Sequence, residues 1–160
     1  MKKTLISIVG ILAVAACAVA SFSQQVPARN QDSNESLPIT ATLTTPNQQQ
    51  IHVRIADDDR KRELGLSYFK ELPADQGMLF LFDQPGVYPF WMKGMNFPLD
   101  IIWLKKAPQN SFEVVFVAES VDPATYPRII DPNTEADAVL EINANSATRS
   151  GVAVGGVIKQ

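Results

Sequence analysis

Lys93, Asp100 and Glu141 are the residues in this chain whose types could do chemistry together. Asp100 and Glu141 each interrupt an apolar run, Leu99–Leu104 and Ala138–Ile142, and an apolar setting tolerates a charge only where it finds a partner. Strand alternation sets Asp100 on one face with Ile102 and Leu104, and Glu141 on one face with Val139 and Asn143. If those two faces meet, two carboxylates and one ammonium share a sheltered site. Like charges would then raise one carboxyl pKa, the condition for general acid catalysis on a substrate such as a glycan. The competing account, which the pattern favours, is a structural ion pair that fixes strand register, each charge satisfied by Lys93 or by a backbone donor, with no catalysis.

Other patterns offer weaker chemistry. Trp91 and Trp103, with Tyr126 in a proline-rich stretch and Asn143 nearby, form a candidate lining for a small ligand at the mouth of a fold. Met92 and Met95, with Met78, have thioethers at a spacing that could hold Cu(I), yet methionine beside aromatics is ordinary core filling. Asp131, Asn133, Glu135 and Asp137 alternate like the start of a calcium loop. Ala136 stands where that loop needs Gly, and Ile142 where it needs Glu. His52 is the single histidine, and no G-x-S-x-G elbow accompanies it. The reading therefore assigns no metal and no cofactor, and it leans away from an enzyme.

The elements that must position these residues come from hydrophobic period. Twelve of the thirteen aromatics lie between Tyr68 and Tyr126, which locates the core. Ile51, Val53 and Ile55 alternate with His52 and Arg54 as in a half-buried strand. Asp57–Asp59 open a short helix that Gly65 ends. Met78–Phe82 is apolar throughout, so a strand there is covered on both faces, and Asp83–Gly86 reads as a turn. Strands follow at Leu99–Leu104, Phe112–Ala118 and Ala138–Ile142. Residues 119–134 read as a long loop, Asn145 as the cap of a short helix ending at Gly151, and Val152–Ile158 as the closing strand. These elements predict a β-rich α+β fold, a small, mostly antiparallel pseudo-barrel with two short helices.

The N-terminus carries a different kind of signal. Lys2 and Lys3 precede an apolar run from Leu5 to Ala16, the layout of an export signal. Val14-Ala15-Ala16-Cys17 resembles a bacterial lipobox, which would make Cys17 a lipidation site. Ala18-Val19-Ala20 offers a cleavage site for soluble release, and an uncleaved anchor is the third option. All three place the remainder outside the cytoplasmic membrane, on its periplasmic or cell-surface side. The expected organisation is a signal or anchor over 1–20, a flexible linker over 21–47 with an optional edge strand at Leu37–Thr44, and a domain over 48–160. Without Lys2 and Lys3 the chain carries 12 Lys+Arg against 17 Asp+Glu, a net charge of −5. That balance argues against nucleic acid as a partner. The partners expected are the membrane, through the N-terminal segment, and a small molecule or glycan.

Several fragments in order resemble the family called domain of unknown function 192, DUF192. They are Gly65-Leu66, Leu72-Pro73 through Gly77-Met78-Leu79-Phe80, Phe90-Trp91-Met92-Lys93, Pro98-Leu99-Asp100-Ile101-Ile102, Val139 through Ala144, and Gly151 with Val154-Gly155. The resemblance covers about residues 50 to 158 and implies a small antiparallel pseudo-barrel, commonly exported. It implies no activity.

Overall fold

The computed structural model describes residues 37–160. The readings on Cys17, on the segment 1–20 and on the first part of the linker lie outside the described residues. Among the described residues, no helix is long and apolar enough to cross a membrane.

Nine strands, two short helices and a 3₁₀ turn follow one another along the chain. β1 is Ile39–Thr44, β2 Gln50–Ala56, α1 Asp59–Leu64, β3 Gln76–Gly86 and β4 Phe90–Trp91. β5 is Leu99–Ala107, β6 Ser111–Val121, the 3₁₀ turn Pro123–Thr125, β7 Ile129–Ile130, β8 Ala136–Asn143, α2 Ser146–Ser150 and β9 Val157–Lys159. Seven strands close a barrel in the order β1-β2-β3-β8-β5-β6-β9, and β4 and β7 pair as a separate ribbon. All barrel neighbours are antiparallel except β2 and β3, which the crossover through α1 makes parallel. The predicted β-rich pseudo-barrel with two short helices is the fold observed.

The crossover follows from local chemistry. Asp58 caps α1 by accepting a hydrogen bond from the Lys61 backbone N–H at 2.8 Å. Gly65 ends the helix at φ +51°, a backbone conformation that favours glycine, and its N–H reaches the Lys61 carbonyl.

Two apolar layers result. All seven barrel strands contribute to the first, including Leu43, Val53, Leu79, Ile102, Val114 and Leu140, so it fills the barrel interior. The second draws on β3, β5 and β8 together with Leu66, Leu72 and Met92, and it covers the outside of those strands. β5 and β8 are thus buried on both faces from Leu99 to Leu104 and from Ala138 to Ile142. Trp103 is the largest side chain of the outer layer, and its indole N–H donates to the Tyr88 carbonyl at 2.7 Å.

Four elements differ from the sequence reading. The closing strand spans only Val157–Lys159, because the chain turns at Gly151 and again at Val154–Gly155 instead of extending from Val152. Ile39–Thr44 is a barrel strand, paired with β2 on one side and with β9 at the Thr44–Lys159 position on the other. The barrel therefore begins ahead of residue 48, inside what reads as linker. β3 runs on through Gly86, because Asp83–Gly86 continue as an extended strand and Gly86 pairs again with Ala136 after a bulge. The stretch 119–134 contains the end of β6, the 3₁₀ turn and β7, which pairs with β4. Three prolines mask periodicity there, but a two-residue strand needs none.

Candidate functional site

Register decides which charged residues meet. Across β5 and β8, Asp100 stands opposite Ile142, and Ile101 stands opposite Glu141. Residues directly opposite in an antiparallel pair share a face. Asp100 therefore points with Ile142 into the barrel, while Glu141 points with Ile101 into the outer layer. The sheet separates the two carboxylates, so the sequence-expected pairing of Asp100 with Glu141 is not formed. Lys93 is exposed, and among the described residues it forms no ion pair with either. The ion pair with Lys93 is likewise not made; the alternative partner expected for a buried charge, a backbone donor, is what Asp100 finds.

Asp100 is fully buried, and its oxygens are taken up by backbone. Oδ1 accepts from Ser120 N–H at 2.8 Å and from Asn145 N–H at 3.1 Å, and Oδ2 accepts from Ala147 N–H at 2.8 Å. A bulge in β6 opposes Glu119 and Ser120 to Asp100 alone, and Ser120 takes φ +50°. The Asn145 and Ala147 N–H groups belong to the start of α2. Asn145 itself has φ +63° and makes no side-chain cap, so Asp100 performs that duty from a different strand. This carboxylate is a structural staple.

Glu141 is the opposite case. It is only 4% exposed, and among the described residues Oε2 has no hydrogen-bond partner. Burial pushes its pKa from 4.5 up to about 8, so the side chain is a neutral acid at pH 7. It lies at a cavity of about 300 Å³ between α1, β3 and the segment 88–95. Phe80, Phe82, Tyr88, Phe90 and Trp91 supply aromatic surface, Arg62 and Lys93 supply cations, and Asp59 and Glu63 supply acids. Arg62 is already held: it donates to the Leu81 carbonyl at 2.7 Å and to Asp59 at 2.8 Å, with its guanidinium 5.4 Å from the Phe82 ring centre. Gly65 packs directly against this carboxyl. A Cβ there would stand 3.8 Å from Oε2 and 3.5 Å from the tip of Phe80.

The remaining candidates separate from this cavity. Trp91, 44% exposed, lines it, but Trp103 is buried beneath Phe90 and Phe116 with its N–H satisfied. Tyr126 is exposed and not part of the lining. Asn143 is a tie: its amide donates to the Leu72 carbonyl at 2.9 Å and the Pro73 carbonyl at 3.2 Å, anchoring the segment that enters β3. Asn143→Ala is expected to lose about 1–2 kcal/mol of stability in urea denaturation and to leave any ligand affinity unchanged. Met78 and Met92 are core residues, and Met95 alone of the three methionines faces the cavity. In the acidic stretch, Asp131 caps the Asn133 N–H and Asp137 accepts from the Lys106 N–H. Among the described residues no group of three or more His, Cys, Asp or Glu side chains is arranged to hold a metal.

A family model, DUF192, described as Uncharacterized ACR, matches residues 41–160, which takes in the barrel and every wall of the cavity. The chain belongs to the DUF192 family. Its match begins within β1, in agreement with that strand's place in the DUF192 barrel. No curated protein matches the chain. Two solved structures are similar to this DUF192 protein. One is a provisionally assigned transcription regulator from Sinorhizobium meliloti 1021, 30% identical with a TM-score of 0.65, the alignment covering 74% of this chain and 89% of that one. The other is a protein of unknown function from Novosphingobium aromaticivorans DSM 12444, 27% identical with a TM-score of 0.63, covering 74% of this chain and 82% of that one.

The sequence reading reached Glu141, Lys93 and Trp91 but did not group them with α1. Asp57–Asp59 and Gly65 signal that helix plainly, yet nothing in its spacing says that it lies over β8.

Proposed function

We propose that this DUF192 protein is a non-enzymatic binding module, exported and held at the membrane by its N-terminal segment, whose ligand site is the aromatic cavity over Glu141. The observation that carries the binding role is the buried Oε2 of Glu141, which has no partner within the described residues. Leaving a buried polar group unpaired costs stability, and a bound molecule that satisfies it recovers that cost. Export and tethering rest on Lys2, Lys3, the apolar run and Cys17. Paired-carboxylate catalysis loses its support because Asp100 lies across the sheet with three backbone donors. The regulator assignment of the Sinorhizobium protein finds no support in this chain's charge, which leaves little to neutralise a run of phosphates.

A thermal-shift screen of the full chain against small polar and aromatic fragments tests the proposal. Fragments that stabilise the protein are expected to lose their effect in Trp91→Ala, while the unliganded melting temperature stays within a few degrees because Trp91 is half out in solvent. A screen with no stabilising fragment, or hits that survive in Trp91→Ala, would overturn the assignment of the cavity.

A further inference from the structure

The chemistry of the cavity narrows what it takes, given that it is a binding site at all. We propose that the occupant is a small protonated amine whose ammonium seats against the carboxyl of Glu141, with its carbon skeleton against Phe80, Phe90 and Trp91.

Three observations lead there. A buried carboxyl oxygen with no partner among the described residues can be satisfied as a carboxylate by a donor, and an ammonium brings three N–H groups. The walls around it are aromatic faces, which carry partial negative charge and attract cations within about 6 Å of the ring centre. Once Glu141 ionises, the ionisable lining carries an acidic excess of one, Asp59, Glu63 and Glu141 against Arg62 and Lys93. From α1 come Asp59, Arg62 and Glu63, from the segment beyond β3 Tyr88, and after β4 Lys93. Arg62 is consumed by Asp59 and the Leu81 carbonyl. Lys93 is exposed at the rim, where water and salt screen its repulsion, whereas Glu141 acts from the buried floor, where a charge is felt undiminished.

Binding must then move a proton. The empty site holds Glu141 as a neutral acid at pH 7. Seating an ammonium favours the carboxylate, so the acid proton leaves to solvent and the complex is a buried carboxylate–ammonium pair. Amine affinity therefore rises with pH, about tenfold per pH unit, up to about pH 8, and one proton is released per amine bound. A neutral ligand that accepts a hydrogen bond from the protonated acid behaves oppositely. Its affinity is level below about pH 8 and falls above it.

Benzylamine and benzyl alcohol, near-isosteres that differ in charge, discriminate the two. They are titrated into the full chain by calorimetry at several pH values between about 6 and 8, in buffers of differing ionisation enthalpy. The expected result is tighter binding of benzylamine, by about tenfold or more at about pH 8, with proton release that vanishes in Glu141→Gln. Trp91→Ala, at a half-exposed side chain, should weaken both probes. Benzyl alcohol binding as tightly as benzylamine, or benzylamine binding without proton release, would overturn the amine inference and leave the binding module standing. So would a fragment screen with only neutral or anionic hits at this cavity. If no fragment of any charge binds there, the binding reading falls as well.

Discussion

Asp100→Ala should come close to unfolding the protein. The substitution strips three backbone N–H groups of their common acceptor, the buried one of Ala147 and the part-buried ones of Ser120 and Asn145. Each orphaned donor costs about 1–3 kcal/mol, and water admitted to the barrel end recovers part of that, so the net loss is about 3–5 kcal/mol. Against a typical total of about 5–15 kcal/mol, such a loss leaves a barely folded domain. Asp100→Asn should fall between. One amide oxygen replaces Oδ1, while the amide nitrogen confronts the Ala147 N–H, donor against donor. Urea denaturation of the three proteins measures the series. A loss below about 1 kcal/mol in the alanine variant would show that α2 holds its place without the staple.

Glu141 should behave in the reverse sense. With its pKa at about 8 when folded and 4.5 as the ordinary value, the folded protein holds one more proton than the unfolded chain between those two pH values. Stability therefore falls as pH climbs from about 4.5 to about 8, and levels off beyond. Below that window both states are protonated and the penalty is absent. Glu141→Gln cannot ionise, so its stability relative to the parent should improve by about 2–5 kcal/mol between about pH 5 and about pH 9. Chemical denaturation of both proteins across that range provides the measurement. Parallel curves would mean that Glu141 ionises as readily as a surface acid. A polar substitution that stabilises a protein in base marks a group kept for something other than stability.

Much of the fold was legible because its signals are local. Period-two alternation located β2, and unbroken apolar runs located the doubly covered parts of β3, β5 and β8. Asp58 and Gly65 bracketed α1 within a residue or two. The site was only half legible, for a reason that Asp100 and Glu141 make plain. Alternation correctly sorts each residue onto a face of its own strand. It cannot say which face of β5 coincides with which face of β8, because that depends on a register fixed by contacts far apart in sequence. A slip of one position would have put the two acids side by side. The β4–β7 ribbon escaped for a related reason: two strands of two residues each carry no pattern, and their pairing appears only once the chain is folded. Ser120 and Asn145, whose positive φ values turn their N–H groups onto Asp100, have no sequence signature that separates them from ordinary loop residues.

The place of β9 between β1 and β6 bears on how this protein is made. During synthesis the other eight strands emerge first, and until residues 157–159 follow, β1 and β6 remain raw edges able to pair with a neighbouring nascent chain. Closure of the barrel thus rests on three residues, and a chain cut before Val157 would leave β1 and β6 open to pairing with another copy.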